Sequence, residues 1–438
     1  MKNSASWSVI AIALLSTTAQ SADKSLVDSS FFKDSQAEIS LKNYWKYLKD
    51  DADIAKPQEI HSAWGQELAL GYQSGYLADI LGVNLDYYSA VKLGASDAFN
   101  SRGVLYNNKL NDGKDNAAGF SKIGQRYIKL KGEVGGATLN AQWGWQTLRD
   151  YGVISRSIRL SPSSYLGWSG GATRAGLSFR GAYIERSMAR NSPESLRLQT
   201  NDGRVIGHLA TAELRYKNDL FNGQLAYGES QDYLRRQILR LAFSPDEKLT
   251  LGSQIYTTQA LDGYQAMALS KRHFDRNANH YAFDAKWQEP HWNLKLGIAH
   301  TRAPKGEGAL GFYPRHMTKD SRGTFTSMAN VEAYMADGET MLGMEAEYRM
   351  TPEFTAGLLG TYDQFDYQGA RVRLGEINAF GRWTPSHHKL KNLTVLAIVG
   401  PGWSYKHQNN TPVIADGRYQ TSHSLAAEFI AEYRFKLF

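Results

Sequence analysis

Arginine is the residue whose placement in this chain suggests a chemistry. The segment Thr147 to Leu160 carries Arg149, Asp150, Tyr151, Arg156 and Arg159. Two further stretches, Arg174 to Arg186 and Leu234 to Ser244, set Arg174, Arg180 and Arg186, then Arg236 and Arg240, at even positions. Their odd positions hold Leu177, Phe179 and Tyr183, then Leu239, Leu241 and Phe243. A guanidinium is a fixed positive charge with a fork of donors that matches a carboxylate. Along a water-filled passage such groups choose what passes and do not react with it. Lys295, Glu345, Glu347 and Arg349 form a mixed secondary set, and Arg371 with Arg373 a further pair.

Signals for enzymatic chemistry are poor. The 11 His are scattered, and His387-His388 lies in a turn region without metal-ligand spacing. There is no Gly-x-Ser-x-Gly elbow and no phosphate loop. With no Cys in the sequence, thiolate ligands, thiol nucleophiles and disulfides are ruled out. No cofactor and no metal are expected.

The elements that must position these arginines are strands. From Leu81 to Leu93 the odd positions carry Leu81, Val83, Leu85, Tyr87, Val91 and Leu93, whereas Gly82, Asn84, Asp86, Tyr88, Ala90 and Lys92 fill the even ones. A strand sends successive side chains to opposite faces, so one face is apolar and the other wet. The same two-faced pattern recurs along almost the whole chain, which a transmembrane β-barrel requires. The segments Ala37 to Tyr47 and Ser62 to Gln73 precede it; Ile123 to Glu133 and Ala137 to Gln146 follow as a hairpin around Gly135-Gly136. Continuing with Ser164 to Gly170 and Arg174 to Arg186 and ending with Ser424 to Phe438, the pattern predicts about eighteen antiparallel strands, an even number as bacterial barrels have. Tight turns such as Lys217-Asn218-Asp219 and Thr351-Pro352-Glu353 alternate with long polar stretches such as Ala189 to Val205 and Ala303 to Asp337. A barrel with short periplasmic turns and long outer loops shows that alternation, and a soluble sandwich gives no reason for it.

Composition agrees. Mean hydropathy is −0.46, and past the N-terminus no apolar run approaches the roughly 20 residues of a membrane helix. Ten Trp, 25 Tyr and 17 Phe suit the aromatic girdles of a barrel. Lys2, the apolar run Val9 to Leu15 and Ala19-Gln20-Ser21 read as a signal peptide over residues 1–21, leaving 22–438 as one barrel domain. Export without disulfides or a helical span indicates a Gram-negative outer membrane.

Several segments resemble the outer membrane porin D (OprD) family, which includes chitoporins. They are Ser29-Ser30-Phe31-Phe32-Lys33-Asp34-Ser35 leading into Leu41 to Tyr47, and Trp64 to Tyr72 running through Gln73-Ser74-Gly75-Tyr76. Arg159-Leu160-Ser161-Pro162-Ser163-Ser164-Tyr165-Leu166-Gly167-Trp168 is similar to the family segment after its third loop, and Tyr433 to Phe438 to its last strand. The resemblance implies an eighteen-stranded monomeric barrel, passive uptake of small nutrients, and a third loop folded inward as the constriction. A loose trimer is the alternative to a monomer. The chain departs from the family in a shorter sixth strand, turning through Gly170-Gly171, and in the arginine content of the third loop.

On this reading the inward loop presents Arg149, Asp150, Tyr151, Arg156 and Arg159, and parity adds Arg174, Arg180, Arg236 and Arg240. Charge on the lipid face at the midplane costs roughly 2–4 kcal/mol, so parity should hold arginines in the lumen. Either they select carboxylate-bearing solutes, or they balance lumen acids. Oligosaccharides are the alternative cargo. Arg371 and Arg373 lie at the rim if Ile377, Ala379 and Trp383 face lipid. Net charge +7 fits an anion-friendly pore, or loops that meet lipopolysaccharide phosphates among the outer-membrane lipids. Nucleic acid is not an expected partner. Competing functions are an outer-membrane lipid hydrolase and a structural or adhesive barrel with a blocked lumen.

Overall fold

The computed structural model describes residues 29–55, 59–97, 103–107, 116–306, 308–319, 321, 323, 335–408 and 411–438. The expected signal segment lies outside the described residues. Eighteen barrel strands follow in chain order: β1 Gln36–Asp50, β2 Glu59–Gln73, β3 Leu81–Ala95, β4 Phe120–Val134, β5 Ala137–Gln146 and β6 Ser164–Arg174. Next come β7 Leu177–Met188, β8 Leu209–Lys217, β9 Phe221–Ser230, β10 Leu234–Phe243, β11 Leu249–Ala260 and β12 Asn277–Gln288. The last six are β13 Trp292–Arg302, β14 Thr340–Arg349, β15 Phe354–Tyr367, β16 Ala370–Trp383, β17 Leu393–Tyr405 and β18 Thr421–Lys436. Each pairs antiparallel with its neighbour, and β18 returns to β1 with Leu41 opposite Tyr433 and Trp45 opposite Phe429, closing the sheet.

Alternation decides which side chain meets which solvent. Leu81, Leu85, Val91 and Leu93 are exposed on the outer face of β3, where lipid takes the place of water. Phe429 shares that face on β18, as do Tyr433 and Phe435 beside Leu41 and Ile39.

Three details differ from the expectation. Strand β6 does not stop at Gly170; it continues to Arg174 and turns at Ala175-Gly176, where φ values of 47° and 80° select the left-handed region that glycine tolerates. Strand β7 carries a bulge between its pairs with Leu166 and Gly167, so Arg186 falls opposite Leu166 and shares the outer face. Third, the alternation of short and long connections is incomplete, because two on the long-loop side, 231–233 and 368–369, are tight.

Long connections fold into the barrel. Leu148, Val153 and Ile154 from the β5–β6 loop pack with Ile184, Leu198, Leu209, Ile238, Tyr264 and Tyr313 into one apolar cluster. It fills part of the lumen on the β7–β11 side and gives the inward loop a wall to rest on.

Candidate functional site

The β5–β6 loop, residues 147–163, crosses the lumen. At its tip the Tyr151 hydroxyl lies 2.8 Å from the Gly170 carbonyl on β6 and 3.2 Å from that of Gly181 on β7. The Val153 N–H donates to Thr211 Oγ1 on β8 at 3.0 Å. Gly152, with φ 56°, passes so close to Thr211 that a Cβ there would lie 2.1 Å from its hydroxyl oxygen. The returning limb reaches the opposite wall, where Ser161 donates to Glu67 of β2. Below that limb, Arg156, Ile158 and Leu160 roof a recess of about 370 Å³ bounded by Lys42, Glu67, Asp86 and Glu432.

Five charged groups converge at the loop tip. Glu213 of β8 has a side chain that is 0% exposed, and it binds Arg180 of β7 and Arg215 of β8, the latter at 3.0 Å. It also accepts the Gly152 N–H at 2.9 Å and a bond from Gln224 of β9. Arg180 and Arg215 donate to the Asp150 carbonyl at 2.8 and 2.6 Å. The Asp150 carboxylate takes Arg215 at 3.0 Å and Arg240 of β10 at 2.8 Å. Burial alone would raise the Asp150 pKa, but the charges of Arg240 and Arg215 outweigh it and hold the carboxyl below its ordinary range. Three guanidinia thus share two carboxylates, and they remain 28%, 29% and 20% exposed for Arg180, Arg215 and Arg240. Their unfilled N–H groups can meet solute or water.

Of the residues expected to select, the fold brings Asp150, Arg180 and Arg240 into this cluster. Arg149 is exposed on the same loop, and Arg156 faces the recess. Arg159 lies apart, close to Arg190 and the Tyr44 hydroxyl. Tyr151 is a correction: it is buried behind the loop and anchors it, because its hydroxyl reaches two strand carbonyls. Arg236 is another. Its parity is inward, yet it is 0% exposed, capped by the Pro314 carbonyl with its guanidinium 5.1 Å from the Tyr313 ring centroid, so the β13–β14 connection separates it from solute. Arg174 is a third, sitting at the end of β6 opposite Leu177 with outward parity.

In the secondary set, Lys295 stands opposite Glu345 on the inner face, and Glu347 pairs with Arg382 at 3.3 Å. Arg349 ends β14. Arg371 and Arg373 share the outer parity of Ile377 at the rim, with Arg371 bound to Asp366 at 3.0 Å. Glu213 and Arg215 escaped the sequence reading, although Leu214 and Tyr216 mark their inward parity.

Because Tyr151 holds the loop through its hydroxyl, Tyr151→Phe should loosen it without disturbing the barrel. The expected cost is about 1–2 kcal/mol. It should appear as noisier open-channel current at unchanged heat-modifiable mobility; equally quiet current would show that the hydroxyl anchors nothing.

Residues 29–353 match a family model described as outer membrane porin, OprD family. Solved structures with this fold include Pseudomonas aeruginosa OpdQ, at 16% identity and TM-score 0.69, covering 94% of this chain and 100% of that one. Acinetobacter baumannii OccAB3 matches at 16% identity and TM-score 0.71, covering 92% and 100%. Pseudomonas aeruginosa OpdK, solved with vanillate, matches at 14% identity and TM-score 0.70, covering 93% and 100%. At such identities the likeness establishes the fold. No match was found among curated proteins.

Proposed function

The chain belongs to the OprD family of outer membrane porins, and from that premise we propose that its lumen favours small solutes bearing a carboxylate. Family membership makes it an integral outer-membrane diffusion channel, not an enzyme. The preference rests on one observation: three partly exposed guanidinia meet two carboxylates where the inward loop narrows the passage. Low-dielectric walls strengthen that surplus charge. Arg149 and Arg156 add to it from the loop. The structure of OpdK with vanillate, itself a carboxylate, is consistent with such a cargo.

Arg149→Gln with Arg156→Gln tests this without opening the Glu213 pairs. Under a low-salt gradient the reversal potential should move toward cations. Liposome uptake of benzoate should slow by about two- to fivefold while a neutral sugar is unaffected, as loss of about 0.5–1 kcal/mol would give. The shift should vanish near 1 M salt, where the Debye length is about 3 Å. Unchanged selectivity at low salt would remove Arg149 and Arg156 from the preference, and a wild-type channel that takes benzoate no faster than the neutral sugar would overturn it.

A further inference from the structure

Some arginines on the outer rim have a carboxylate beside them. Arg235 pairs with Glu229 at 2.9 Å, Arg371 with Asp366 at 3.0 Å and Arg302 with Asp337 at 3.9 Å. One group differs. Arg126 of β4 stands opposite Trp145 of β5, Trp145 opposite Leu166 of β6, Leu166 opposite Arg186 of β7, and Arg186 opposite Arg197 of the short strand Ser195–Arg197. These five positions form one cross-strand row along the long-loop ends of β5, β6 and β7.

The arginines of the row face outward, whereas Trp145 between them is buried. Arg126 also stands opposite Leu85, whose side chain is exposed on the outer face, and it sits two residues from outward Ile128. The register of β4 shifts beside Gly124, and that of β7 beside Glu185, which turns Arg126 and Arg186 to this side. All three arginines are exposed. Among the described residues none of them makes an ion pair. Arg126 donates to the Ile123 carbonyl at 2.6 Å and lies 5.3 Å from the Trp145 ring centroid. Glu185 is the acid beside Arg186 in sequence, and it is exposed without bonding to any of the three.

We propose that this row binds the phosphate groups of an anionic lipid in the outer leaflet. A guanidinium held against hydrocarbon is costly, and the cost largely falls away near the interface. A phosphate there supplies the missing counter-charge through paired N–H donors. Arg126 and Arg186 are three strand spacings apart, about 14–15 Å, so the row spans a headgroup bearing two phosphates. Between them Leu166, Trp168 and Trp143 give the acyl chains an apolar bed, and Trp143 and Trp168 lie 5.7 Å apart. Only the outer-membrane location is presupposed; the lumen arginines play no part.

The test compares purified full-length protein with the triple variant Arg126→Gln, Arg186→Gln, Arg197→Gln. Bisphosphorylated lipid A, its dephosphorylated form and inorganic phosphate are titrated while the heat-unfolding midpoint is followed. Wild type should be stabilised by bisphosphorylated lipid A alone, and the triple variant should bind it about tenfold or more weakly. Arg235→Gln with Arg371→Gln, which removes paired rim arginines, should bind as wild type does. Reversal potential should stay as in wild type, so failure here and failure of the carboxylate preference are separate results. Should the triple variant not assemble, the double variant Arg186→Gln, Arg197→Gln carries the same expectation with a smaller loss. Equal affinity of variant and wild type, equal binding of dephosphorylated lipid A, or an equal shift with inorganic phosphate would each overturn the proposal.

Discussion

A chain ending before Thr421 is expected to yield no heat-modifiable barrel at all. Without β18 the sheet has two open edges, β1 and β17, which otherwise pair with it along nearly their whole length. In hydrocarbon every unpaired peptide N–H and C=O costs several kcal/mol, so an open sheet edge is not a viable spanning structure. Side chains add to the loss. Lys46 pairs with Glu428, Tyr44 donates to Glu428 at 2.6 Å, and Lys42 lies 3.7 Å from Glu432. Truncation would take these acids away from two buried lysines on the lumen wall. The measurement is gel mobility with and without boiling, together with membrane extraction. A truncated chain that stays heat-modifiable and membrane-inserted would refute the closure described here.

Period-two patterning made the barrel legible, because lipid on one side and water on the other leave a mark at every second residue. Leu239, Leu241 and Phe243 mark the outer side of β10, and Arg240 stands on the inner one, 2.8 Å from Asp150. Misses occurred wherever one residue breaks the count. The turn at Ala175-Gly176 left Arg174 on β6, and the bulge at Glu185 carried Arg186 to the outside. A single inserted residue exchanges the faces, and nothing in composition announces it. Arg236 failed for a different reason: parity was correct, but a distant connection, through Tyr313 and Pro314, covers it. Loops carry no periodicity, so whether Tyr151 faces solute or the wall depended on contacts with Gly170 and Gly181 that no pattern encodes.

Replacing Glu213 with Leu should release the inward loop and raise conductance severalfold. The carboxylate is buried among Arg180, Arg215, Gln224 and the Gly152 N–H, so its removal leaves two guanidinia and a backbone donor without their common acceptor. Breaking one side of such a buried network costs about 3–5 kcal/mol. The ladder from β7 through β9 is untouched, so the strain should fall on the loop contact and the barrel should still assemble. Two effects then compete. Losing a negative charge makes the lumen more anion-selective, whereas losing the latch widens it for every ion. Salt separates them: near 1 M the charge effect is screened within about 3 Å, and a conductance gain that persists there reports loop movement. Asp150 adds a pH dependence to the same loop contact. A carboxyl whose folded pKa is depressed keeps its stabilising pairing above its ordinary value and loses it only as pH falls through the lower one. Asp150 is held below the ordinary value of about 3.9, so its pairing with Arg215 and Arg240 persists to about pH 4 and yields below it. The Asp150 pairing should therefore hold wild-type conductance in 1 M KCl down to about pH 4 and release it only below, whereas Glu213→Leu should already be high above pH 4. A Glu213→Leu channel with wild-type conductance in high salt would mean that the remaining contacts, through Asp150, Tyr151, Val153 and the apolar cluster, hold the loop.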